Sequence, residues 1–133
     1  MIRIRVTAAL LVACALLACG GTAGAVGGRP RDDLHIVYWA HGRAAHHRAH
    51  RWELTCVPAG GTHPHPLAAC RELRLHRDEL RPPKKACRFL VPINAPEVEV
   101  RGRLRTATVD RILRPACDGT AFRDLRALLT GRA

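Results

Sequence analysis

Four cysteines, Cys56, Cys70, Cys87 and Cys117, follow an apolar leader, and they constrain this chain more than any other feature. Met1 to Arg5 is a short basic start. Val6 to Ala18 is then 13 residues without a charge, the length of a signal-peptide core and too short to span a bilayer comfortably. Ala23-Gly24-Ala25 has the A-x-A pattern of a cleavage site. The reading is a signal peptide over 1–25 and a single domain over 26–133, with 26–33 as a loose Gly-, Pro- and charge-rich arm. Leu16-Leu17-Ala18-Cys19 and Leu11-Val12-Ala13-Cys14 offer a rival, lipoprotein-type processing. Lipidation at Cys19 would be the one route to a membrane.

Cleavage at Ala25 removes two cysteines and leaves four. An even count in a small exported chain reads as two disulfides, which matter where the core is modest. Four cysteines allow three pairings, and spacing alone does not choose among them. No two of the four sit at C-x-x-C spacing, so a structural zinc is a poor reading.

The formal charge is +11, from 22 Lys and Arg against 11 Asp and Glu. The basic residues are scattered and aromatics are few, so there is no stacking platform for nucleic acid. A positive field can still steer encounters with acidic partners. The chain contains no serine, which excludes a Ser–His nucleophile. Glu97 and Glu99 alternate on one strand and read as an exposed, salt-bridged edge rather than a catalytic pair. Eight histidines invite a metal, but His35, His41, His46, His47 and His50 have no acid among the loop members and read as surface residues. Neither cofactor nor metal is expected.

Pattern along the chain gives an α+β domain. Leu34 to Trp39 is rich in β-formers. Arg51 to Cys56 alternates, with Trp52, Leu54 and Cys56 facing one way. Val57 to Pro66 is a turn-rich loop, and Leu67 to Leu80 has helical period with Pro66 at its start and Pro82-Pro83 at its end. Lys84 to Pro96 is irregular. Glu97 to Val100 alternates as a strand, Arg101-Gly102-Arg103 reads as a turn, and Leu104 to Leu113 as the return strand. Thr120 to Leu129 reads as a helix with Phe122, Leu125 and Leu129 on its apolar face and Gly131 as its stop. One-sided apolar faces place the helices on one face of an antiparallel sheet.

Four segments resemble the Streptomyces subtilisin inhibitor family. These are Leu54-Thr55-Cys56 with Pro58, the tetrapeptide Gly61-Thr62-His63-Pro64, Ala69-Cys70 within a Leu-rich helix, and Cys87 standing 30 residues before Cys117 with Arg111 in the β-rich approach. The resemblance covers about residues 34 to 119. It implies an antiparallel five-stranded sheet with two helices, bridges Cys56–Cys70 and Cys87–Cys117, and dimers formed through sheet faces. It implies a secreted inhibitor of extracellular serine proteases, not an enzyme. His63 is implied to hold loop backbone by a hydrogen bond. The reactive loop maps to Ala86, Cys87, Arg88, Phe89, Leu90 and Val91, and the reactive bond to Phe89–Leu90.

A frozen, extended loop binds a protease without the ordering cost of a flexible peptide, and a bridge two residues from the bond keeps cut ends together. Phe89 as anchor suits the large apolar pocket of subtilisin-like or chymotrypsin-like enzymes. A one-residue slip would instead offer Arg88 to a trypsin-like pocket. The loop departs from the family pattern: Arg88 replaces a proline, and Leu90-Val91-Pro92-Ile93 replaces Val-Tyr-Asp-Pro. A tryptophan of the following hairpin is missing as well. These departures sustain an alternative, a cationic secreted or cell-surface binding protein on the same scaffold without inhibitory activity.

Overall fold

The computed structural model describes residues 31–45 and 48–133. The leader, its cleavage site, Cys14, Cys19, most of the arm, His46 and His47 lie outside the described residues. β1 (Asp32–Trp39), β2 (His50–Cys56), β3 (Gly60–Gly61), β4 (Glu97–Leu104) and β5 (Ala107–Leu113) form one antiparallel sheet in the order β3-β2-β1-β4-β5. α1 (Pro66–His76), extended by a 3-10 turn to Leu80, packs with α2 (Gly119–Asp124) and α3 (Arg126–Thr130) against one face. The α+β class and the five antiparallel strands agree with the sequence reading.

Alternation explains the layers. Leu34, Ile36 and Tyr38 of β1, Leu54 and Cys56 of β2, Val98 and Val100 of β4, and Val109 and Leu113 of β5 point inward and are buried. They meet Leu73 and Leu80 from the first helical unit and Leu125, Leu128 and Leu129 from the C-terminal one. Each such side chain contributes roughly 1.5–3 kcal/mol by leaving water. As expected, Leu54 and Cys56 share their face with Trp52, which lies half-buried against the core.

Three local expectations are corrected. The arm ends sooner, because Asp32 and Asp33 already pair with Cys56 and Thr55 of β2. Arg101-Gly102-Arg103 is not a turn. Those residues stay in β4, paired with His35, Leu34 and Asp33, and the chain reverses at Arg105-Thr106. Gly102 serves close approach instead: at φ +142, an added Cβ would lie 2.0 Å from the Asp33 carbonyl oxygen. The last helix is broken at Leu125 (φ −115, ψ 34). Leu125, Ala127, Leu128 and Leu129 are all buried. The Glu72 carboxylate of α1 accepts the Ala127 and Leu128 N–H groups at 3.1 and 3.0 Å, which satisfies the first turn of a new helix after the break.

The tetrapeptide Gly61-Thr62-His63-Pro64 has a physical account. A Cβ on Gly61 (φ +98) would lie 2.2 Å from the Glu53 carbonyl oxygen. The Thr62 hydroxyl accepts the Glu53 N–H at 2.9 Å, and the Thr62 and His63 N–H groups donate to the Glu53 carbonyl at 2.9 and 3.1 Å. His63 then reaches across to the last helix, and Gly131 (φ +63) lets the chain end pass between Pro64 and Trp52. The motif locks the β2–α1 connection to the C-terminus.

Candidate functional site: a disulfide-anchored exposed loop

Between Leu80, the end of the first helical unit, and Glu97, the start of β4, the chain runs outside both layers. Residues 81 to 90 are all exposed and form neither helix nor strand. Phe89 is 73% exposed, Leu90 99% and Ile93 79%, so these apolar side chains are not core. Ala86, Cys87 and Arg88 are exposed with them, and Val91 is half-buried. The stretch stands off from β5 across a cleft of about 830 Å³ bordered by Phe89, Arg111, Ile112 and Asp118.

Several ties hold this exposed stretch. Cys87 is bonded to Cys117, with Cα atoms 5.4 Å apart, in the turn after β5. The other bridge, Cys56–Cys70, joins β2 to α1. Both pairings are those implied by the family resemblance. At the loop's start, the Arg111 guanidinium donates to the Arg81 carbonyl. Arg111 is itself buried and paired with Asp118 at 2.8 Å. Asp118 also accepts the Arg114 N–H at 2.9 Å, while the Cys117 and Asp118 N–H groups donate to the Arg114 carbonyl. One buried arginine therefore connects the loop stem, β5 and the turn that carries Cys117.

At the loop's end, the Ala95 N–H donates to the Pro92 carbonyl at 2.9 Å. Gly42, buried and at φ +72, lies where an added Cβ would come within 2.4 Å of the Ile93 carbonyl oxygen. Its neighbour Arg43 pairs with Glu97 and Glu99 and stacks over Trp39, 4.4 Å from the ring centre. Arg114 reaches Glu97 from the other side at 3.0 Å. The expectation of an exposed edge at Glu97 and Glu99 is corrected here. The salt bridges are present, but β4 is an interior strand and Glu97 is buried under two arginines. Neither Gly42 nor Asp118 stood out in the sequence. An isolated glycine in a polar loop and an aspartate before a glycine signal only turns.

His63 sits at the far side of the sheet. Its Nε2 lies 3.2 Å from the Leu128 carbonyl and its Nδ1 accepts the His65 N–H at 3.1 Å, so the neutral ring uses both nitrogens. Burial pushes its pKa below the ordinary value of 6.5, with the Leu128 carbonyl opposing and His65 adding to the fall. The structural role implied by the resemblance is thus met, with the last helix as partner. Arg123 pairs with the Asp124 carboxylate at 2.7 Å and lowers its pKa. Among the described residues no three His, Cys, Asp or Glu side chains are grouped to hold a metal ion.

Fold and loop together define a class: a small two-disulfide α+β scaffold that presents one tethered, apolar-tipped segment. Residues 34–89 match the family described as Subtilisin inhibitor-like, from the middle of β1 through Phe89. The family resemblance read from the cysteine frame and tetrapeptide is shown over that span. A search of curated proteins returns no match. Among solved structures, sermetstatin of Streptomyces caespitosus, crystallised in complex with Bacillus licheniformis subtilisin, is similar at 20% identity. The match covers 73% of this chain and 98% of sermetstatin, with a TM-score of 0.41.

Proposed function

We propose that this chain is a secreted inhibitor of extracellular serine proteases, acting through the Phe89–Leu90 bond. The observation that carries the reading is the placement of Phe89 and Leu90. Two large apolar side chains stand 73% and 99% exposed, two and three residues after a disulfide-bonded Cys87, inside a loop pinned at both ends. Ordinary folding buries such residues; a protease specificity pocket gives them a destination.

In this reading the segment from Ala86 to Val91 lies along the enzyme cleft as an added strand. Phe89 fills the pocket and Leu90 follows the attacked carbonyl. The loop is ordered before binding, so association forfeits little backbone entropy. Attack forms an acyl-enzyme at Phe89. Cys87–Cys117 and the Arg111 tie on one side, with Gly42 packing on the other, keep the new Leu90 amine in place to reverse the cleavage. The enzyme is held, not supplied with product. A homodimer formed through the sheet face not covered by helices belongs to the same reading, and sedimentation at micromolar concentration tests it. So does export with removal of residues 1–25, for which the mass of the protein from culture medium discriminates cleavage after Ala25 from lipidation at Cys19.

Titration of subtilisin, chymotrypsin and trypsin tests the function. Inhibition of the first two, with a loss of at least about 30-fold in Phe89→Gly, is the expected outcome for a central anchor. Full inhibition by Phe89→Gly removes Phe89 from the role. Inhibition of trypsin alone, lost in Arg88→Gly, moves the contact to Arg88. Failure against all three leaves the second reading, a cationic binding protein on the same scaffold, which the excess of basic over acidic residues favours.

A further inference from the structure

The end of the sheet opposite the loop carries a surface that inhibition does not use. β1 begins there, β2 ends there, and β4 turns into β5 there at Arg105. Between α1 and the Cys56–Cys70 bridge lies a cleft of about 810 Å³. Its apolar part is the bridge with Val57, Leu67 and Ala68, and its basic part is Arg71, Arg74, Arg77 and Arg105.

Asp32 is the one acid lining this cleft, and it is already engaged. It accepts the Arg105 N–H at 2.8 Å and pairs with Arg77 at 3.6 Å. The guanidinium groups of Arg71, Arg74 and Arg105 have no carboxylate partner among the described residues. Arg77 Nε is buried without a hydrogen-bond partner. Alongside, α1 shows an exposed stripe of Leu67, Arg71, Arg74 and Leu75, spaced to lie on one helix face. Leu67 is 78% exposed, Leu75 68% and Val57 67%. Leucines and arginines interleaved on one exposed face are the pattern of an interfacial element: guanidinium groups take phosphates while apolar tips enter the boundary below them.

We propose that the cleft and the α1 stripe form a docking surface for an anionic phospholipid bilayer. Arg71, Arg74 and Arg105 bind headgroup phosphates, and Val57, Leu67 and Leu75 insert at the acyl boundary. A soluble polyanion would use the arginines but would gain nothing from three exposed apolar side chains. Read as a sequence, the chain has one route to a membrane, a lipid on Cys19; this surface needs no lipid. β1 and β4, eight residues each, separate it from the Phe89 loop by about 25 Å, so a docked molecule keeps the loop facing solvent. The inference does not rest on inhibition.

Co-sedimentation with vesicles of phosphatidylcholine, alone or with phosphatidylglycerol, tests it. The protein is used as its host processes it, with every variant made in the same way. Binding to the phosphatidylglycerol vesicles only is expected. The double variant Arg71→Gln/Arg74→Gln should weaken it about 25-fold. Leu67→Ser/Leu75→Ser should weaken it roughly tenfold at unchanged charge. Lys84→Gln/Lys85→Gln, at the other end of the molecule, should change it less than about threefold. All six positions are exposed, so melting temperature should hold. Three results overturn the proposal: no vesicle binding, equal losses from the arginine and lysine pairs, or binding indifferent to the leucine pair. The last, with full competition by soluble polyphosphate, identifies a polyanion site.

Discussion

Replacing Arg111 by Met tests how much of the loop's order comes from one buried cation. Met keeps the aliphatic stem and removes the guanidinium. Two interactions go: the bond to the Arg81 carbonyl and the pair with Asp118 at 2.8 Å. Asp118 is then left with the Arg114 N–H alone, at a side-chain exposure of 13%. Removing one partner of a fully buried pair costs about 3–5 kcal/mol; partial exposure and the retained N–H put this case near about 3 kcal/mol. For a domain of this size that is a fall in melting temperature of roughly 12–24 °C. Freeing the loop stem at Arg81 adds an ordering cost on binding. If one or two residues loosen, at about 1–2 kcal/mol each, inhibition weakens by roughly 5- to 1,000-fold and cleavage at Phe89–Leu90 speeds up. Differential scanning calorimetry gives the first quantity. Subtilisin inhibition assays, with mass spectrometry of the cut form, give the second. A variant that melts within about 2 °C of the parent would show that Arg111 is not the tie described here. A destabilised variant with unchanged inhibition would uncouple the loop stem from the reactive segment.

Gly42→Ala places a methyl 2.4 Å from the Ile93 carbonyl oxygen at φ +72, so the loop's C-terminal end must shift; weaker inhibition with a melting temperature lowered by less than in Arg111→Met is expected, and equal inhibition would refute the packing role. Removing the loop bridge with Cys87→Ala/Cys117→Ala opens a 30-residue separation and should cost roughly 3.5 kcal/mol while turning the inhibitor into a substrate; slow cleavage unchanged from the parent would contradict the tether. His63 has a folded pKa lowered below 6.5, so the unfolded chain binds its proton first as pH falls. Stability from neutral His63 is complete above about pH 6.5 and declines as pH drops below it. Urea melts from pH 7.5 to 5 should show this slope, and His63→Ala should remove part of it at a lower overall stability; an unaltered slope would mean that the ring is not held neutral.

Much of the architecture is local, and therefore legible in the residues. Alternation in Arg51 to Cys56 marked β2 and its inward face, and the helical period after Pro66 marked α1, because side-chain direction follows backbone period with no reference to neighbours. The cysteine count announced two bridges, and the family resemblance paired them. Three things were decided only by assembly. Gly102 looked like a turn residue, yet β1 passing 2.0 Å from its missing Cβ made it a strand residue. Glu97 looked like a surface acid until Arg43 and Arg114 converged on it from distant parts of the chain. Gly42 looks ordinary in the chain and Arg111 only marks the family resemblance, because their worth lies in Ile93, Arg81 and Asp118, which folding alone brings beside them. Local pattern states what a segment is; which segment holds another in place is a property of the packed whole.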